Sequence, residues 1–271
     1  MSRDRIAECF ARCRAEGRSA LVGYLTAGDP DVATSEKLLL TLAGHVDILE
    51  IGMPFSDPMA DGPVIQAASE RALEAGASIK DVFALAAKVN SACPDTAVVL
   101  MGYANVPYAL GFENFSKQAA DAGVDGVLIV DIPPEEGDIC DQALKKNGLH
   151  RVLLLSPTSS DERIKLASEA ASGFIYYVSL TGITGAEMGE AAAVEQQVER
   201  IRSFSKLPIC VGFGVKTAEQ AAKVAAFSDG VVVGSHFVSQ IPQHRDDRNA
   251  MVTALGEAAS AMRNAVKRTA A

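Results

Sequence analysis

The chain has 271 residues, 48% hydrophobic and 22% charged, with 25 basic against 34 acidic side chains and a formal net charge of −9. Such apolar content excludes a disordered chain, and the acidic balance excludes a nucleic-acid binder that relies on a basic surface. A small anionic ligand held by backbone amides stays open, and this length suits one barrel as well as two small domains.

In chain order, Met1–Arg5 leads into an amphipathic stretch rather than a signal-peptide core. Ile6, Phe10 and Cys13 in that stretch predict a helix ahead of the first strand. Cys9 and Cys13 stand four apart on it, but no His or further Cys lies close by in sequence to complete a metal site. Both are expected to be small buried side chains. The odd set of five cysteines (with Cys93, Cys140 and Cys210) predicts reduced thiols and a cytoplasmic protein. No apolar run of 18 residues predicts a membrane span, so no membrane partner is expected.

Eight apolar, β-rich runs follow: Ala20–Leu25, Val46–Ile51, Ala97–Met101, Gly126–Val130, Arg151–Leu155, Phe174–Leu180, Leu207–Gly212 and Gly230–Val233. Most are nearly continuous rather than alternating, as parallel strands covered on both faces should be. Helical patterns lie between them, such as Val82, Leu85, Ala86 and Val89, and Met251, Leu255, Ala258, Met262 and Val266 near the end. Turn signals at Gly28-Asp29-Pro30, Gly111, Gly123, Pro133-Pro134 and Gly148 separate them. Eight βα units and a leading helix predict a (β/α)8 barrel, residues 1–271 forming one domain. An open doubly wound sheet is the alternative, but Thr26-Ala27-Gly28-Asp29-Pro30 after the first run lacks G-x-G-x-x-G. Insertions at Pro54–Pro63 and Thr181–Ala193 would overlie the catalytic face.

Glu50 is the most anomalous residue, a carboxylate inside an apolar strand run. Desolvation would raise its pKa and suit it to carry a proton; the bland reading is a Glu paired with a structural Lys or Arg. Asp57 and Asp61 lie on the following loop, which three prolines stiffen, and each is either a turn or cap residue or part of a site. Gly212-Phe213-Gly214-Val215 and Gly234-Ser235 end the last two runs, where such barrels bind phosphate. Gly182-Ile183-Thr184-Gly185 can reach the same region. His45, His150, His236 and His244 form no constellation, with His45 and His150 preceding strands. No Lys stands in an apolar strand, which weakens a Schiff-base aldolase. Glu135, Glu136 and Asp138 read as a solvated helix start, and Asp131 remains ambiguous.

The stretch Leu49-Glu50-Ile51-Gly52-Met53-Pro54-Phe55-Ser56-Asp57-Pro58-Met59-Ala60-Asp61-Gly62-Pro63-Val64-Ile65-Gln66 closely resembles the signature of the tryptophan synthase α-subunit family. Tyr24–Pro30, Ser179–Ala186, Gly212–Val215 and Gly234-Ser235 resemble its first turn, mobile sixth loop and phosphate site. The resemblance implies retro-aldol cleavage of indole-3-glycerol phosphate to indole and glyceraldehyde 3-phosphate, with no cofactor in this chain. It implies Glu50 as acid/base and Asp61 as partner of the indole N–H. It further implies Thr184 bonding Asp61 on loop closure and Tyr176 near Glu50. Tyr24, Leu100 and Ile129 would enclose the indole, and Gly185, Gly214, Gly234 and Ser235 would hold phosphate. The implied partner is a pyridoxal-phosphate-dependent β subunit in an α2β2 heterotetramer. Met101–Pro107 departs from the family's third-strand motif, where Asn is often followed directly by Pro, in a region that typically faces β. A stand-alone lyase, a non-catalytic activator of β and a phosphate-sugar isomerase are the alternatives; retention of Glu50 and Asp61 argues against the activator.

Overall fold

The computed structural model describes residues 3–178, 188–212 and 214–267. The eight runs form parallel strands β1 (Ala20–Thr26), β2 (Ile48–Gly52), β3 (Ala97–Gly102), β4 (Gly126–Ile129), β5 (His150–Leu155), β6 (Ile175–Val178), β7 (Ile209–Gly212) and β8 (Gly230–Val233). They pair in sequence order, and β8 pairs with β1 to close the barrel. Helix α1 (Arg5–Ala15) precedes β1, and α2 (Val32–Ala43) follows it. Helices α3 (Pro63–Glu74) and α4 (Ile79–Ala92) follow β2, while α5 (Asn105–Leu110) and α6 (Phe112–Asp121) follow β3. A 3-10 turn at Pro134–Ile139 and helix α7 (Asp141–Lys146) follow β4. Helices α8 (Asp161–Ala170), α9 (Met188–Arg202) and α10 (Ala218–Ala225) follow β5, β6 and β7. After β8 come α11 (Ser235–Val238), α12 (Gln240–Gln243) and α13 (Arg248–Ala265). No helix among the described residues is long and apolar enough to cross a membrane.

Several expected boundaries shift. The second strand starts at Ile48, because Val46 and Asp47 belong to its approach, and His150 opens β5 rather than preceding it. Within the expected insertion after β6, residues from Met188 onward are helical, and Thr181 to Glu187 lie outside the described residues. On α13 the buried stripe runs through Ala259, not Ala258.

Strand side chains alternate between two apolar clusters. One fills the barrel with Ala20, Val22, Ile48, Ala97, Val99, Leu128, Val152, Phe174, Cys210 and Val232. Ile6, Cys9, Phe10 and Cys13 of α1 join it, so the leading helix plugs the amino-terminal end. The other cluster lies between strands and outer helices and takes the opposite phase, for example Leu21, Leu49, Ile51, Val98 and Leu100. Both faces of every strand are thus apolar, which explains the near-continuous runs.

A ring of side chains braces the same end. Asp47, before β2, accepts the Leu21 amide at 2.9 Å, and Asp125, before β4, accepts the Val98 amide at 2.7 Å. Ser172, before β6, accepts the Arg151 amide at 2.9 Å, and Asp229, before β8, accepts the Ile209 amide at 3.0 Å. Each even-numbered strand is tied in this way to the start of the odd-numbered strand before it. Asp47 carries the heaviest load. Arg18 grips it at 2.7 and 2.9 Å, and Arg12 and Arg263 also bond it. Burial pushes its carboxyl up, but the Arg18 hydrogen bond, the Leu21 amide and Arg263 outweigh this and hold it below the usual range. Cys9 donates its thiol to the Asp47 carbonyl at 3.0 Å. Among the described residues no cluster of metal-ligating side chains forms, there or elsewhere.

Removing one partner from a buried ion pair leaves the other charge uncompensated. Asp47→Ala is therefore expected to lower stability by about 3–5 kcal/mol in urea denaturation. A loss under about 1 kcal/mol, the worth of an exposed pair, would show that water replaces the carboxylate there.

Candidate active site

Glu50 is the third residue of β2, in the inward phase set by Ile48. It pairs in register with Tyr24 of β1 on one side and Val99 of β3 on the other. It is 1% exposed, and neither carboxylate oxygen has a hydrogen-bond partner among the described residues. The bland expectation, a Glu neutralised by a structural Lys or Arg, is thus not what the strand holds. Burial alone pushes its pKa from 4.5 up to about 8, so it is mostly protonated at neutral pH.

Two tyrosines stand within electrostatic reach of that carboxyl. Burial and then the nearby carboxylates, Asp61 and Glu50 for Tyr24 and chiefly Glu50 for Tyr176, raise both phenols well above their ordinary value. Both therefore remain neutral donors. Glycines make room for them: a Cβ on Gly52 would stand 2.1 Å from the Tyr24 hydroxyl, and one on Gly212 would stand 2.6 Å from that of Tyr176. Tyr24 also exchanges a 3.2 Å hydrogen bond with Thr26.

A cavity of about 490 Å³ opens at the carboxyl ends of β3–β6, with Asp61, Met101, Ile129, Val130, Leu154 and Tyr176 in its wall. A second, of about 360 Å³, adjoins it over β7 and β8, with Gly214, Lys216, Val232, Gly234 and Ser235. Tyr176, Gly62 and Ile65 line both. The site is therefore one apolar lobe with a carboxylate at its rim, joined to one glycine-rich lobe.

Asp61 and Asp57 part company. Asp57 is exposed and accepts the hydroxyl of its neighbour Ser56, a turn role. Asp61 is half-buried; burial raises its pKa, and the nearby Tyr103 hydroxyl opposes the rise. Tyr103, which sequence reasoning missed, also accepts the Ala60 amide at 3.1 Å and stacks on Phe55. Asp131, left ambiguous, accepts the Ala104 amide at 2.7 Å and so ties the end of β4 to the segment that carries Tyr103.

The structure brings Tyr24, Glu50, Asp61 and Tyr176 together, and Gly214, Gly234 and Ser235 line the second lobe. Leu100 is a correction. It lies in the outward phase of β3, fully buried in the outer cluster, whereas Met101 faces the cavity. Ile129 touches the cavity wall, but its side chain shares the outer cluster, and Val130 is the inward neighbour. Thr184 and Gly185 lie outside the described residues.

The model of the tryptophan synthase alpha chain family matches residues 10–267. The tryptophan synthase alpha chain of Marinobacter nauticus is 47% identical over 263 residues, 97% of each chain. The solved alpha subunit from Legionella pneumophila is 39% identical with a TM-score of 0.90, covering 98% of this chain and 99% of that one. A solved chain of M. tuberculosis tryptophan synthase is 32% identical with a TM-score of 0.89, covering 98% and 100%.

A carboxyl whose folded pKa is raised binds more protons folded than unfolded, so stability is lost as pH climbs from the unfolded to the folded value. For Glu50 that window runs from 4.5 to about 8. Glu50→Gln is expected to gain on the wild type across that window, reaching on the order of 4 kcal/mol at pH 8. Urea denaturation at several pH values measures the difference; parallel curves would mean that Glu50 is ionised and solvated in the fold.

Proposed function

The chain belongs to the tryptophan synthase alpha chain family, and from that membership we propose that Glu50 and Asp61 divide the chemistry of its lyase reaction. The reaction cleaves indole-3-glycerol phosphate into indole and glyceraldehyde 3-phosphate. The observation that carries the assignment is a buried carboxyl with no hydrogen-bond partner among the described residues, mostly protonated at neutral pH and within electrostatic reach of Tyr176, which lines the apolar cavity.

Cleavage needs C3 of the indole to become tetrahedral, which puts positive charge on the ring nitrogen. The neutral Glu50 carboxyl gives its proton to C3, and Asp61 accepts the ring N–H and stabilises the cation. The glycerol hydroxyl next to C3 then returns its proton to the Glu50 carboxylate. The C–C bonding pair flows back into the ring, indole leaves, and the aldehyde forms. Glu50 ends as it began, so no other proton carrier is needed. Its near-complete burial means that the side chain rotates toward the substrate, or that Tyr24 and Tyr176 yield, before transfer. Met101, Val130 and Ile129 wall the ring, and Tyr176 separates it from the phosphate, held by backbone at Gly214 and Gly234 and by Ser235. Thr184 and Gly185 would complete the site from the sixth loop.

No metal or organic cofactor takes part in this chain's reaction. We place the protein in the cytoplasm, joined to a β chain that carries pyridoxal phosphate, in an α2β2 assembly. The exposed Met59 and Tyr108, on the segments after β2 and β3, and an apolar groove lined by Met53, Pro54, Val106 and Leu110 support a protein partner for this chain.

Glu50→Gln is expected to cut indole release by at least about 100-fold, the scale of a lost general acid, while substrate still binds. Asp61→Asn should lose a comparable factor through unstabilised ring charge. An indole-release assay with and without β tests both. Near-normal turnover by either variant removes that residue from the mechanism, and rapid turnover without β would favour a stand-alone lyase.

A further inference from the structure

Phosphate is a dianion, and this protein carries a net charge of −9, so its long-range field opposes the ligand it is assigned. The loop segments after the second and sixth strands offer no positive charge to offset it. Residues 53–63 contain two Asp and no Lys or Arg, and residues 179–187 contain no Lys or Arg. His236 follows Ser235, but burial lowers its pKa and leaves it neutral at neutral pH. On the other lobe, Arg163 is tied to Glu135 at 2.8 Å. Lys216 is different. It is the one charged residue lining the glycine-rich lobe among the described residues, and it forms no ion pair there.

Its backbone is also fixed. Gln220 accepts the Lys216 amide at 2.8 Å and the Thr217 amide at 3.2 Å, while Thr217 caps the start of α10 by accepting the Gln220 amide. The root of the lysine is thereby held at the mouth of the lobe, leaving only the side chain free to move.

We propose that Lys216 is a substrate-binding residue, the cation that meets the phosphate above the backbone contacts of Gly214, Gly234 and Ser235. The inference rests on the reading of that lobe as the phosphate site. An exposed ammonium acts as a screened point charge, so it contributes to capture of the substrate and not to bond cleavage.

The test is titration of the purified full chain with glycerol 3-phosphate at low and physiological ionic strength, alongside turnover of indole-3-glycerol phosphate. Lys216→Gln is expected to weaken binding about 3- to 10-fold at low salt. It should flatten the salt dependence and raise KM by a similar factor with kcat near wild type, and Lys216→Arg should restore all three. Unchanged affinity and an unchanged salt dependence in Lys216→Gln overturn the proposal. Ser235→Asp separates the two levels: if it abolishes binding while Lys216→Gln does not weaken it, only the lysine's role fails. If neither variant weakens binding, the lobe is not the phosphate site.

Discussion

The carboxyl of Glu50 has no partner among the described residues, and the rest of the site is arranged around that lack. A neutral carboxyl with both oxygens unbonded still costs about 1–3 kcal/mol, and ionising it there costs more. A salt bridge would remove the cost and also the proposed acid, because a carboxylate held by Arg is a poor acid at neutral pH. Three residues earlier on the same approach, Asp47 shows that alternative, with Arg18, Arg12 and Arg263 holding it ionised. One strand thus begins in a saturated charge network and carries a starved carboxyl at its middle.

The barrel makes that contrast possible by dividing labour between its ends. The helix plug and the four side-chain ties brace the amino-terminal end, where Ser172 and the aspartates fix the offset of neighbouring strands. Their bonds are local and buried, so strain introduced at the other end is opposed by a rigid base. At the carboxyl ends the ties run between loops instead: Tyr103 to the Ala60 amide next to Asp61, and Asp131 to the Ala104 amide. These position a carboxylate without neutralising it, as a charge waiting for a transient cation requires.

The strands were legible because parallel strands buried on both faces leave near-continuous apolar runs, and Glu50 was legible because it interrupts one. The same continuity hid the phase. In Ala97–Gly102 every residue is apolar or glycine, so nothing in the string says whether Leu100 or Met101 faces inward; the register of β3 against β2 decides it. Ile129 and Val130 pose the same problem at β4. Tyr103 was invisible for another reason, since its hydroxyl accepts the amide of Ala60, forty-three positions earlier in another loop. Lys216 reads in sequence as an ordinary solvated charge, and only the cavity beside it gives the position meaning.

Under the proposed function the two lobes would solve opposite electrostatic problems with little formal charge. On the proposed assignment the apolar lobe would have to favour a cation that exists only during the reaction, and the half-buried Asp61 would do so with less screening than a fully exposed carboxylate. The glycine-rich lobe, as the proposed phosphate site, would have to favour a permanent dianion in an acidic protein. Backbone amides suit that task, since their dipoles are fixed and carry no net charge that would stabilise the wrong ionisation state of Glu50 across Tyr176. A buried arginine in the same lobe would bind phosphate more tightly, but its field would pull the Glu50 pKa down toward the ordinary carboxylate range and remove the acid. A solvent-screened lysine at the mouth would act on the arriving ligand while its field decays before reaching the barrel interior. On the proposed function, the placement of charge at the phosphate end is therefore constrained by the need to keep one carboxyl neutral at the other.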